Sequence, residues 1–169
     1  YEFQTMMTAL TGMEVSNASM YDGGSALGEA LLMAVRANKT SSSGTVLIPH
    51  SVHPFYRDVV RATTTAQGVK PTLLPFCSKQ GITLADSLKA YDGQDITAVV
   101  IQQPNFFGQL EDVDAITDWA HAHGAFVVAV VNPTSLALIK SPRHWGQKGA
   151  DIVCGEGQPL GAPLSSGGP

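Results

Sequence analysis

Four stretches of this chain hold groups that could do chemistry. The first runs from Ser19 to Ala26 and contains Tyr21-Asp22-Gly23-Gly24-Ser25. At a helix start, Gly24 and Ser25 would point backbone N–H groups at whatever lies in front, and the helix dipole favours an anion there. The charge of Asp22 opposes a phosphate in that place, and Asp22 or Ser25 is equally suited to be an ordinary N-cap. The second stretch is His50-Ser51-Val52-His53, which follows an apolar run and opens a helical one. Taken alone, His53 reads as a surface histidine at a helix N-terminus, with Ser51 as the cap. The third is Asn132, which ends an apolar run just before Pro133 and reads as a turn former. The fourth is the tail, where Ala150-Asp151-Ile152-Val153-Cys154 runs into Gly155-Glu156-Gly157-Gln158-Pro159-Leu160-Gly161. In an α/β sheet, a loop just past the carboxyl end of a strand is where a site is usually built. This one offers Glu156 and Gln158 but no Lys and no His.

Other polar residues read as structural. His121 and His123 flank a helix end with no carboxylate or Cys at ligand spacing, so no metal site is read there. Trp119 and Trp145 read as packing residues. Asp92, Asp95, Glu111, Asp112 and Asp114 read as solvated charges of loops and helix starts. No GxGxxG follows a strand and no GxSxG is present, so the dinucleotide fingerprint and the nucleophile elbow are both missing.

The elements that must hold these groups alternate along the chain. A helix over 2–10 stops at Thr11-Gly12. Over 26–38, Ala26, Leu27, Ala30, Leu31, Ala34 and Val35 recur at i, i+3, i+4 spacing and predict a helix with one buried face. Strand 45–49 follows, then a helix over 51–66 with Val52, Phe55, Val59 and Val60 as its inner face. Strand 70–76 contains Pro71 and Pro75, which suit a sheet edge. A short helix over 84–91, strand 97–102 and a helix over 112–123 come next, the last with Val113, Ile116, Trp119 and Ala120 inward. Strands 125–131 and 150–154 complete the pattern. Continuously apolar strands alternating with helices predict an α/β fold, a three-layer α/β/α domain whose mostly parallel sheet is covered on both faces.

A chain of 169 residues fits one domain, and 44% hydrophobic against 14% charged residues points to a well-buried fold. The net charge of −4 gives no reason to expect a nucleic acid or an anionic membrane as partner. Cys77 and Cys154 lie far apart, outside any CxxC, and read as two reduced thiols of a cytoplasmic protein. No apolar run approaches the roughly 18 residues that a membrane span needs. The chain starts at Tyr1 inside a helical segment and stops at Gly-Gly-Pro. Residues 1–169 are therefore expected to be a single domain cut from a longer protein, with exposed apolar surface and a tendency to self-associate.

Three motifs carry a resemblance that covers nearly the whole chain. They are Glu2-Phe3-Gln4-Thr5-Met6 followed by Leu10-Thr11-Gly12-Met13; Asn17-Ala18-Ser19-Met20-Tyr21-Asp22-Gly23; and Gly155-Glu156-Gly157-Gln158-Pro159-Leu160-Gly161 with Gly167-Gly168-Pro169. Together they resemble the P-protein family of the glycine cleavage system, glycine dehydrogenase (decarboxylating), in its subunit 1 form. The resemblance implies the aspartate-aminotransferase-like large domain of pyridoxal-phosphate (PLP) enzymes. It puts Gly24 and Ser25 at the phosphate loop, His53 where a histidine stacks on the cofactor ring, and Gln158 in the segment beside the cofactor. It puts Asn132 where the fold carries an Asp that keeps the pyridine nitrogen protonated, a task an uncharged amide performs less well. The family's Schiff-base lysine follows the last strand, yet residues 151–169 contain no Lys, and Lys140 and Lys148 precede that strand. No other side chain supplies the amine, so no catalytic residue is assigned. The resemblance thus implies a chain that works with glycine dehydrogenase subunit 2 in a heterotetramer, PLP being bound covalently on that partner. The whole enzyme would decarboxylate glycine and pass the aminomethyl group to the lipoyl arm of H-protein. Two other readings stay open: a self-sufficient PLP enzyme whose lysine lies outside this stretch, and a non-catalytic scaffold. The parent chain could be a separate subunit or half of a fused one; Gly155-Glu156-Gly157-Gln158-Pro159 leans to the former.

Overall fold

The computed structural model describes residues 1–162; Gly167-Gly168-Pro169, part of the third motif, lies outside them. Helix α1 (Glu2–Thr11) ends on Gly12, which takes the left-handed conformation that closes a helix. It buries no residue and lies against the short 3₁₀ segment Pro133–Ala137. Helix α2 (Gly23–Ala37) starts three residues before the predicted 26–38. Asp22, in an extended conformation, caps it and draws Gly23-Gly24-Ser25 into the first turn, so these residues are helix and not loop.

Strand β1 (Thr45–Pro49) matches its expected range. Helix α3 (Pro54–Thr64) does not: it begins at Pro54, not residue 51, because proline suits the first helical position. Two further parts of the 51–66 prediction also fall. The cap is His53 and not Ser51, which is buried, and Phe55 points outward at 72% exposure and not inward. Strand β2 (Lys70–Leu74), the 3₁₀ segment Ala85–Tyr91, strand β3 (Ala98–Gln103), helix α4 (Val113–Ala122), strand β4 (Phe126–Val131) and strand β5 (Ile152–Gly155) follow.

The sheet order is β2-β1-β3-β4-β5, parallel throughout, with the proline-bearing β2 on an edge as expected. Strand side chains alternate between the faces. Val46, Ile48, Ala98, Val100, Val128 and Val130 pack under α2 and α3. Leu47, Val99, Ile101, Val127 and Ala129 pack with α4, Leu88 and the fully buried Trp145 on the other face. The chain order reverses between β1 and β3, and such a switch point opens a crevice at the carboxyl ends of the strands. Here β1 and β3 pair only at Val46↔Ala98 and Leu47↔Val99. Beyond those pairs the strands part, and the Gln102 side-chain oxygen fills the gap by accepting the His53 backbone N–H at 2.8 Å.

Candidate functional site

The carboxyl edge of the sheet brings together most of the residues singled out above. At the start of α2, Asp22 Oδ1 accepts the Ser25 N–H at 2.7 Å, and its other oxygen accepts the Ser25 hydroxyl at 3.3 Å. The Gly23 N–H goes elsewhere, to Glu156 Oε2 at 3.0 Å. The second oxygen of Glu156 accepts the Gln158 N–H at 3.2 Å. Glu156 is delivered by β5, where Gly155 lies so flat against the Val131 carbonyl that any Cβ would overlap it. The Tyr56 phenol closes over the same turn, and a Cβ on Gly23 would collide with it.

The electrostatics here are negative. Burial, then the charges of Glu156, of Cys154 once ionised at high pH, and of Asp22, push the Tyr56 phenol up to about 12. Burial pushes the Cys154 thiol up to about 12 as well. Both groups are therefore neutral at physiological pH. Of the nearby cations, Arg57 is turned away: its Nε donates to the Val52 carbonyl at 3.0 Å, and its NH1 lies 2.9 Å from His50 Nδ1.

His53 is held from several sides. Its Nδ1 accepts the Phe55 N–H at 3.2 Å, and its ring lies 4.8 Å from Tyr56 and 5.0 Å edge-on from Phe106. Asn132 follows Val131, the register partner of Gly155, so it stands at the same edge. Its side-chain oxygen is taken by the Thr134 N–H at 3.0 Å and hydroxyl at 2.7 Å. It is the turn former that its place before Pro133 suggested.

The reading of Glu111 as a solvated charge is corrected by the structure. Glu111 is 6% exposed, and among the described residues no cation pairs with it. Four donors surround its carboxylate: Ser51 Oγ at 2.7 Å, Thr83 N at 2.7 Å, Asn105 Nδ2 at 2.9 Å, and Thr83 Oγ1 at 3.5 Å. Gln103 accepts its backbone N–H at 2.9 Å. A buried charge needs such satisfaction. The network clamps the loops that follow β1, β2 and β3, and so frames His53 and Phe106. Only Leu110-Glu111 at the end of a Gly-containing loop hinted at it: Asn105 and Gln103 are near in sequence, but Ser51 and Thr83 come from 60 and 28 residues away.

The two helix-end histidines do find carboxylates through the fold. His121 Nε2 lies 2.9 Å from Asp151 and His123 Nε2 3.1 Å from Asp92. Among the described residues no three ligand-type side chains gather into a metal site. An open groove of about 350 Å³ lined by Phe76, Cys77, Lys79 and Leu84 contains none of the residues predicted for a site.

Gly24, Ser25, His53 and Gln158 thus belong to one neighbourhood, joined through Glu156 and Tyr56. These residues do not fit a covalently held pyridoxal phosphate. A carboxylate already stands at the α2 N-terminus, Asn132 is uncharged and engaged in its own turn, and no lysine follows β5 up to residue 169.

The parallel α/β sheet of this chain has the PLP-dependent transferase fold, as superposition on solved structures shows. The O-acetylhomoserine (thiol)-lyase of Campylobacter jejuni, solved with N'-pyridoxyl-lysine-5'-monophosphate, shares that fold at TM-score 0.69 and 15% identity, over 91% of this chain and 34% of its own. Within that class the assignment narrows sharply. The family model described as glycine cleavage system P-protein matches residues 1–169. A probable glycine dehydrogenase (decarboxylating) subunit 1 of Thioalkalivibrio sulfidiphilus is 65% identical over the whole chain, which covers 38% of that protein. A glycine decarboxylase (P-protein) of the glycine cleavage system, solved in inhibitor-bound form, superposes with TM-score 0.87 at 44% identity, over 99% of this chain and 36% of its own. The chain belongs to the glycine cleavage system P-protein family. It spans about 38% of the length of the curated relatives it matches.

Proposed function

We propose that this chain is part of subunit 1 of a glycine decarboxylase, lying in the large domain of a longer cytoplasmic polypeptide. The whole enzyme would decarboxylate glycine and transfer the aminomethyl group to the lipoyl arm of H-protein. Glycine dehydrogenase subunit 2 would hold PLP and its lysine, and this chain would be inactive alone. The reading is carried by the 65% identity to a protein named as subunit 1 of glycine dehydrogenase. The filled α2 N-terminus and the lysine-free tail support the division of labour between subunits. In that division the loops framed by Glu111 shape the edge of the active-site mouth, and no bond-making step falls to these residues.

Expressing full-length subunit 1 and subunit 2 separately and together tests this. Glycine decarboxylation with lipoylated H-protein should appear only when both are present. Borohydride reduction in the presence of PLP should then leave pyridoxyl-lysine on subunit 2 alone. Turnover by subunit 1 alone, or a stoichiometric pyridoxyl-lysine on it, would overturn the reading.

A further inference from the structure

The backbone at the start of α2 has the features by which a helix terminus attracts an anion. The helix has 15 residues, glycines open its first turn, and its N–H groups face the carboxyl edge of the sheet. An anion is already there, and it comes from the chain itself. Glu156 arrives from a position 133 residues away in sequence and accepts the Gly23 N–H with one oxygen. Its other oxygen accepts the Gln158 N–H, so the carboxylate binds α2 and the tail at once. Three features make the contact a built one. Gly155 permits the close pass beside Val131, Gly23 leaves room for Tyr56, and the Tyr56 phenol and Cys154 thiol stay neutral beside the charge. Asp22 adds a second negative charge at the same turn.

We infer that Glu156 is a resident anion: it occupies as a carboxylate the place a phosphate would take on α2, pins the segment after β5 onto that helix, and bars phosphate-bearing ligands from it. Glu156 is a positioning residue here and takes no part in bond making. The inference rests on the contact itself and not on the proposed reaction, so its test needs no turnover and can fail independently of that proposal.

Hydrogen–deuterium exchange of the full-length subunit, read on peptides over residues 19–27, measures the contact directly. In the wild-type protein, excess inorganic phosphate should leave exchange there unchanged. Glu156→Ala should speed exchange at the first turn of α2 roughly tenfold, the effect of losing one charge-assisted hydrogen bond. Glu156→Gln keeps an acceptor and the side-chain volume, so it should fold normally and lie between the two. The double variant Asp22→Ser/Glu156→Ala removes both charges and should gain phosphate-dependent protection at residues 19–27. Wild-type exchange rates in Glu156→Ala would overturn the anchoring role. Phosphate protection in the wild type, or none in the double variant, would overturn the exclusion of phosphate.

Discussion

At the scale of single residues, Glu111 is the largest departure from what its neighbours in sequence suggest. Glu111→Ala would leave the Ser51, Thr83 and Asn105 donors without their acceptor. Each buried, unmet donor costs about 1–3 kcal/mol, so urea unfolding should show a loss of about 3 kcal/mol or more. A loss under about 1 kcal/mol would mean that water replaces the carboxylate and that the clamp on the three loops is unimportant. Tyr56 gives a pH signature. Its phenol is raised from 10.0 to about 12 in the folded chain, chiefly by burial and then by Glu156. The folded state therefore keeps the phenolic proton longer than the unfolded state does. That contribution is complete below pH 10 and is lost as pH rises towards about 12. Urea midpoints measured across this window should fall less steeply in Tyr56→Phe than in wild type. Parallel slopes would show that Tyr56 titrates alike in both states.

At the scale of elements, apolar runs located the strands and helices α2 to α4, and terminal residues settled where α2 and α3 began; the 3₁₀ segment Pro133–Ala137, read only as a turn, gave no such signal. Hydrophobic periodicity marks the middle of α2 but passes over Gly23-Gly24-Ser25, which have no apolar side chain to signal a face. The Asp22 cap decided the start. Asp22→Ala should lower stability by about 1 kcal/mol, while Asp22→Ser, which can still cap, should cost little; thermal melts of the two variants compare them directly. Equal melting temperatures would show that Glu156 alone holds that end. In α3, Pro54 set the start and turned His53 into the cap, which left Ser51 free to bond Glu111. Phe55 was expected inward from its spacing to Val59. It falls in the first turn of α3, at the carboxyl edge of the sheet, where it is exposed beside His53.

At the scale of the whole molecule, a well-packed sheet coexists with a good deal of exposed apolar surface. Phe55, Phe106, Phe107 and Leu110 are exposed around the carboxyl edge, and Met6 is exposed on α1. Surface of this kind marks contact with other protein. Residues 1–169 prepared on their own should therefore associate in a concentration-dependent way, as read by sedimentation velocity. A sharp monomer at all concentrations would count against the surface being sticky by itself. Full-length subunit 1 mixed with subunit 2 should lose that tendency if subunit 2 covers the same residues.

The fold class, the parallel sheet and the edge position of β2 were all legible in the order of residues. Each depends on composition or on spacing over a few positions, which a linear chain displays openly. The place of Glu156 on α2, the burial of Glu111 and the carboxylates opposite His121 and His123 emerged only in the folded chain. The reason is physical: a hydrogen bond between Gly23 and Glu156, or between Ser51 and Glu111, has no periodicity and leaves no local mark. Sheet pairing alone decides that the end of β5 comes to rest beside the first turn of α2.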